Sequence, residues 1–315
     1  MGKDELITAL YESLGESCVT APDVAHVEIH GNEVLGIHLV PGLEIEAQER
    51  RDGIEVEIRV LAGARIEQPV RICFGLIPES GVQRIGMQTR LEAGARIAIL
   101  ASCTFPNAID ILHAMNAEIE VGPGAEYLYL ERHVHGREGG VRLVPKTKAT
   151  LAEDARLRTD FELLRGKAGD IDIDYEATCR ARSVLEMAAR ISGRGRDRIR
   201  IHEHAHLAGE HARGVLTTSI AVREQAEAEI KNTLIASAAH ARGHVDCKEI
   251  VQDQAVAHAI PIVEVRHPKA HVTHEAAIGS VDSKQLETLM SRGLDEDQAT
   301  DLIIEGLLSP AYRGR

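Results

Sequence analysis

Four alanines recur at a nearly constant interval: LAGARI carries Ala64, LEAGARI Ala95, VGPGAEY Ala125 and LAEDARL Ala155, separated by 31, 30 and 30 residues. Each sits in a turn between stretches that alternate apolar and polar residues, the signature of half-buried strands. An interval longer than a hairpin and shorter than a domain is what stacked coils produce. Each coil can bury its apolar side only against its neighbours. The competing architecture is a β-sandwich with regular hairpins. The repeat blurs between Asp170 and Arg200, where strands are mixed with the basic run RGRDRIR, which reads as a solvated edge or turn.

The flanks follow different rules. Leu6, Ile7, Leu10 and Leu14 fall at helical spacing behind a capping Asp4, with Gly15 as a stop, so one short N-terminal helix is expected. Alternating strands begin near Val27. After residue 280 the apolar period changes to about 3.6. In DSKQ, Asp282 is placed to cap while Gln285 reaches back, and DEDQ repeats this with Asp295 and Gln298. Gly293 stands where a helix end tolerates positive φ. Ala299, Leu302, Ile303 and Leu307 form an apolar stripe on the second helix. The expected division is 1–22 helical, 23–280 strand-built and 281–315 helical.

The chain has 315 residues, 44% of them hydrophobic, as expected of a globular protein. Aromatic residues make up 3% with no tryptophan, so the interior must be built of Val, Ile, Leu and Ala. The formal charge of −13 argues against a nucleic-acid or anionic-membrane surface. No apolar run is long enough for a membrane span and no secretory leader opens the chain, so a cytoplasmic setting is expected. The five cysteines are odd in number, far apart and without C-x-x-C spacing, which fits a reducing compartment rather than a disulfide framework. GRGRDR lacks the Lys-Ser/Thr and helix of a phosphate loop, so any nucleotide chemistry belongs to a partner.

Chemistry concentrates near the C-terminus. Cys247, in HVDCKEIV, has His240, His244, Asp246 and His258 close in sequence, and His274 and Glu275 follow in VTHEAA. Thiolate, imidazole and carboxylate together suit iron or zinc. In a strand, however, Cys247 shares a face with Val245 and not with His244 or Asp246, which leaves open a buried, inert thiol. His274 and Glu275 face opposite ways unless the backbone turns between them, so a surface polar pair is the alternative. A separate constellation, His202, His204 and His206 with Glu210, puts three imidazoles on one strand face and weakly resembles cupin metal sites. That pattern would make the chain a metal-dependent β-barrel enzyme. A cupin barrel is much smaller than this chain and does not end in two capped helices. Cys18, Cys73 and Cys103 read as packing residues.

The stretch PIVEVRHPKAHVTHEAAIGSVDSKQLETLMSRGLDEDQATDLIIEGL resembles the C-terminal part of the SufB/SufD family of iron–sulfur cluster assembly scaffolds. It keeps in order a P-x-[IV]-E-V strand, a V-x-H-E-A turn, an acidic-capped helix, SRG and a second acidic helix. The likeness extends back through HVDCKEIV to HARGVLTTSIAV and covers about Arg213 to Leu308. It implies a mainly β fold, a right-handed parallel β-helix with a short N-terminal helix and a C-terminal helix pair. It implies a scaffold rather than an enzyme, carrying a nascent, transient iron–sulfur cluster. Cys247 then matches the SufB cysteine implicated in cluster assembly, His274 a ligand, and Glu275 a ligand or proton acceptor. Thr273 stands where SufB has a further glutamate, which departs from a three-residue acidic clamp. Cys179 does not match the SufB motif for sulfur entry. The implied partners are a second copy pairing through the strands near Cys247, a SufC-like ABC ATPase on the C-terminal helices, a sulfur donor and apo iron–sulfur acceptors. A flavin as electron donor is a fainter implication.

Overall fold

The interval of the alanines is the length of chain wound into one turn of a solenoid. A computed structural model of the chain describes residues 2–19 and 21–309. After helix α1 (Lys3–Leu14), two antiparallel hairpins start the stack: β1 (His26–His30) with β2 (Glu33–His38), and β3 (Leu43–Arg50) with β4 (Gly53–Val60). From there successive strands alternate between two sheets. β5 (Val70–Gly75), β7 (Arg96–Phe105), β9 (Glu126–His135), β11 (Arg156–Arg165), β13 (Val184–Gly193), β15 (Arg213–Val222), β17 (Arg242–Val251) and β19 (His271–Gly279) extend the sheet that begins with β2 and β1. The facing sheet continues from β3 and β4 through β6 (Ser80–Leu91), β8 (Asp110–Val121), β10 (Val141–Leu151), β12 (Asp170–Cys179), β14 (Arg198–Leu207), β16 (Glu227–Ala236) and β18 (Val256–Val265). Beyond the two hairpins every pairing is parallel, giving a mainly β solenoid of about eight turns with one helix before it and two after.

The strand register explains the period. Arg96 pairs with Glu126 and Glu126 with Arg156, but Arg156 pairs with Val184, Val184 with Arg213, Arg213 with Arg242 and Arg242 with His271. The coil therefore shortens from 30 residues to 28 and 29, and no coil is lost between Asp170 and Arg200. The small corner residue continues as Ser183, Ala212 and Ala241, which are fully buried like Ala95, Ala125 and Ala155. One residue before each of these the backbone is left-handed. Glycine supplies this at Gly94 and Gly124 (φ 69° and 64°), and Asp154, Arg182, His211 and His240 take over with φ between 56° and 60°. Stacking offsets part of the strain these side chains accept: the His211 and His240 rings lie 4.8 Å apart and 8° from parallel, and Arg182 donates to Asp154 at 2.8 Å. In RGRDRIR it is a turn that is held: the Asp197 carboxylate accepts N–H groups of Ala168, Gly169 and Arg194 at 2.8–2.9 Å.

Both ends of the first sheet carry helices on their outer side. Leu10 and Leu14 of α1 pack on Leu35, Cys73 and Val134, and Tyr11 donates to Glu28 at 2.9 Å. The helix is capped at Gly2, whose N–H reaches Glu5, two residues before the expected Asp4 cap. Helices α2 (Ser283–Met290) and α3 (Glu296–Leu308) start at the expected caps: Asp282 accepts from Gln285 N and Asp295 from Gln298 N, each at 2.8 Å. In α3 alone the glutamine also returns a bond, accepting from Asp295 N at 3.1 Å. Gly293 has φ 97°. The buried stripe of α3 is Ala299, Thr300, Ile304 and Leu308, with Leu302 47% exposed, because the helix lies against Ala221 and Val281 rather than presenting Leu302 inward. Arg223 and Arg194 pair with Asp301, and Arg190 donates to the Leu308 carbonyl at 2.9 Å, a cation at a helix C-terminus. Among the described residues no helix is long and apolar enough to cross a membrane.

Candidate functional site

Parallel pairing keeps partner side chains on one side of a sheet, so the ladders give the direction of each expected ligand. In β17 the buried residues are Val245, Cys247 and Glu249. Cys247 pairs with Ala276 and His274 with Val245, so Cys247 and His274 share the inner side of the first sheet, one strand and two residues apart. Glu275 pairs with Asp246 and lies on the outer side, since β19 runs straight from His271 to Gly279. There Lys248 donates to Asp246 at 2.7 Å. That bond, more than the nearby Glu275 charge, holds the Lys248 ammonium above its ordinary range. The other polar neighbours of Cys247 in sequence stay outside as well, with His244 bonded to Thr273 at 2.8 Å.

The Cys247 sulfur is fully buried and meets polar groups that alternation marks as interior. Asn232 Nδ2 lies 3.6 Å from it and 3.4 Å from Thr218 Oγ1. Burial pushes the thiol up; Glu249 and Glu203 add to this against the opposing influence of Thr218 and Asn232. The same burial raises Glu203 to about 8 and Glu249 to about 7. Among the described residues Glu203 Oε2, Asn232 Oδ1 and both Glu249 oxygens have no hydrogen-bond partner. Buried acceptors of this kind are costly, and Glu249 and Glu203 lie close enough to act on the thiol, where a carboxylate near neutrality can take or give a proton. Sequence reading passed over Thr218, Glu203, Asn232 and Glu249. The signal was their phase: Glu203 alternates in step with Ile199, Ile201, Ala205 and Leu207, and Asn232 with Ile230 and Leu234.

The histidine-run reading is corrected. His202, His204 and His206 occupy the opposite phase from Glu203 and face outward, while Glu210 lies exposed in the turn after β14. His206 bonds Ser237 at 2.8 Å and His202 lies 3.9 Å from Glu229, so these side chains diverge along a surface ladder. The fold is an open-ended stack and not a cupin barrel.

Residues 83–307 match the family model for the SUF system FeS cluster assembly SufBD core domain. An iron–sulfur cluster assembly SufBD family protein of Methanocaldococcus jannaschii is 34% identical over 311 residues, covering 97% of this chain and 98% of that protein. A SufBD family protein of Pyrococcus horikoshii is 30% identical over 305 residues, covering 96% and 93%. The iron–sulfur cluster assembly protein SufB of Bacillus subtilis is 24% identical over 261 residues, 80% of this chain and 55% of its own. With a match that spans most of the solenoid and two relatives at 30% identity or more covered almost end to end, the chain belongs to the SufB/SufD family of iron–sulfur cluster assembly proteins.

Proposed function

We propose that the chain is a scaffold on which an iron–sulfur cluster is assembled as cargo at a seam between two copies, with Cys247 and His274 as ligands from the inner side of the sheet and Glu275, on the outer side of β19, as a ligand or proton acceptor at the seam. The observation that carries this reading is the uncovered last coil. Among the described residues β18 and β19 end their sheets with no strand beyond them, and Val256, Ile260, Ile262, Val265 and Ile278 are 39–51% exposed there. Unpaired edges of this kind invite another strand. Pro261 removes a donor from β18. β19 contains no proline, so it is the favoured joining edge, and it is the strand that carries His274 and Glu275. Two β19 strands side by side would bring two copies of each residue to one line.

Cys247 sits one strand inside that line, about 4.8 Å from β19 in the hydrogen-bonding direction. Its buried, protonated thiol needs an opening of the last coil to become a ligand, with Glu249, raised only to about 7, accepting the proton. The ABC-type ATPase partner would supply this movement through α2 and α3, whose exposed Met290 and Leu302 remain for docking. A sulfur donor and apo acceptor proteins complete the cycle.

Anaerobic reconstitution with iron and sulfide tests the reading. A brown, charge-transfer-absorbing protein is expected, with the colour lost in Cys247→Ser and strongly reduced in His274→Ala. Sedimentation should show a dimer that Ile278→Asp converts to monomer. Colour that survives both ligand substitutions would reject the site.

A further inference from the structure

We propose that Cys103, His113, His133 and His135 bind one zinc-type divalent ion inside the solenoid, a structural metal site separate from the cluster-assembly seam. The strand ladders assemble it. Cys103 on β7 pairs directly with His133 on β9, and Phe105 with His135. His113 reaches in from β8 of the facing sheet. One donor atom from each of Cys103, His113 and His133 lies within 4.8 Å of the others. All four side chains are buried, at 1–5% exposure.

Two of the donor–donor distances come near those of a tetrahedron. With zinc–nitrogen near 2.05 Å and zinc–sulfur near 2.3 Å, tetrahedral ligands lie about 3.4 Å apart for two nitrogens and about 3.6 Å for sulfur and nitrogen. His133 Nδ1 is 3.4 Å from His135 Nε2, and Cys103 Sγ is 3.9 Å from His113 Nε2.

The nitrogens that face inward are the ones left with lone pairs. Gln83 donates its amide to Gly31 O at 2.7 Å, which fixes its oxygen toward His113 Nδ1 at 2.8 Å, so that Nδ1 carries the hydrogen. His133 Nε2 is engaged by the Glu131 carboxylate at 2.7 Å, and His135 Nδ1 by the Lys167 carbonyl at 3.0 Å. Each imidazole therefore gives its outer N–H to an acceptor, the arrangement that orients metal-bound histidines. It leaves the lone pairs of His133 Nδ1 and His135 Nε2 pointed at each other, which a cation between them resolves. The rings of Phe105 and Phe161 close the site, with centroids 5.1 Å from His113 and 4.9 Å from His133.

The donor set selects the metal. Three imidazoles and a thiolate suit a borderline-soft ion, and a closed four-donor set without solvent access is structural. A divalent ion with one thiolate and the Glu131 carboxylate sums to zero charge, as a buried centre requires. From β9 to β17 are four strand steps, roughly 19 Å, so this ion and a cluster at Cys247 occupy different places.

The test is metal analysis of the purified full-length chain and cobalt substitution. The expected result is one zinc per chain that survives dialysis, and a cobalt form with visible tetrahedral bands and a thiolate charge-transfer band. Cys103→Ser should abolish the charge-transfer band, and His133→Ala should bring the stoichiometry from one to near zero, while Cys247→Ser leaves both unchanged. If alanine variants fail to fold, His113→Gln keeps the volume and should still lower the stoichiometry. The proposal is overturned if the wild-type chain takes up neither zinc nor cobalt on refolding with them. That outcome would assign the same distances to a proton on Glu131 relayed through His133. Equally, a bound ion that is indifferent to Cys103→Ser and His133→Ala but lost in Cys247→Ser would place the metal elsewhere.

Discussion

The Asn232 amide nitrogen points at the Cys247 sulfur from 3.6 Å, and the charged groups that act on the thiol are the carboxyls of Glu249 and Glu203. A single amide does not offset the burial that keeps this thiol protonated. Cys247 should therefore alkylate far more slowly than the partly exposed Cys18 in the folded chain. Timed iodoacetamide labelling with peptide mapping reads this directly, and equal rates at the two positions would contradict the buried placement.

Glu203 gives a pH signature of its own. Burial raises it from 4.5 to about 8, so the folded chain holds a proton that the unfolded chain releases above 4.5. The stability tied to that proton is fully present below pH 4.5 and is lost as pH rises toward 8. Glu203→Gln removes the titration, so its stability relative to wild type should grow from pH 5 to 8, by on the order of a few kcal/mol at most. Denaturant unfolding at several pH values measures it, and a difference that stays flat with pH would refute it.

Arg190 ties the C-terminal helix to the solenoid. It pairs with Asp160 at 2.9 Å and Glu162 at 2.8 Å while donating to the Leu308 carbonyl. Arg190→Ala leaves Asp160, 7% exposed, with an unpaired carboxyl group. The expected cost is about 3 kcal/mol, with faster amide exchange across 296–308. Arg223→Ala breaks a pair whose partner Asp301 is nearly half exposed, and should cost about 1 kcal/mol or less. Comparable losses in the two variants would show that the Arg190 contacts are not the anchor.

The corner alanines set a steric limit. Ala155 is fully buried between Ala125 and Ser183, and Ala155→Leu forces extra volume into a filled corner at about 1–3 kcal/mol. Thermal unfolding would register this as a lowered midpoint, and an unchanged midpoint would mean that the corners are loosely packed.

The solenoid was legible because its period is written in small corner residues, and the helix pair because capping chemistry is local. What escaped the sequence was side-chain phase within the coils. His202, His204 and His206 caught the eye as a run, yet the chemistry faces inward from Glu203 between them, and Cys103 reads as packing until the fold sets His133 beside it. Such juxtapositions join residues about 30 positions apart, and only the exact coil length decides which pair meets. The stripe on α3 was misread by one residue, since Ile304 and Leu308 rather than Leu302 meet Ala221. Cys247 and His274 fall on a common face, whereas Glu275, next in sequence, turns the other way because β19 does not bend.

The two ends of the rod are unlike. At the start, β2 is short and β3, with Glu44, Glu46, Glu49 and Arg50, offers a reversed and charged border, while the finish is largely apolar, with one carboxylate on each strand, Glu264 and Glu275. Head-to-tail growth into a filament would have to join these mismatched borders. On the proposed pairing through β19, self-association would therefore terminate at two, which would keep the number of cargo sites per particle fixed regardless of concentration.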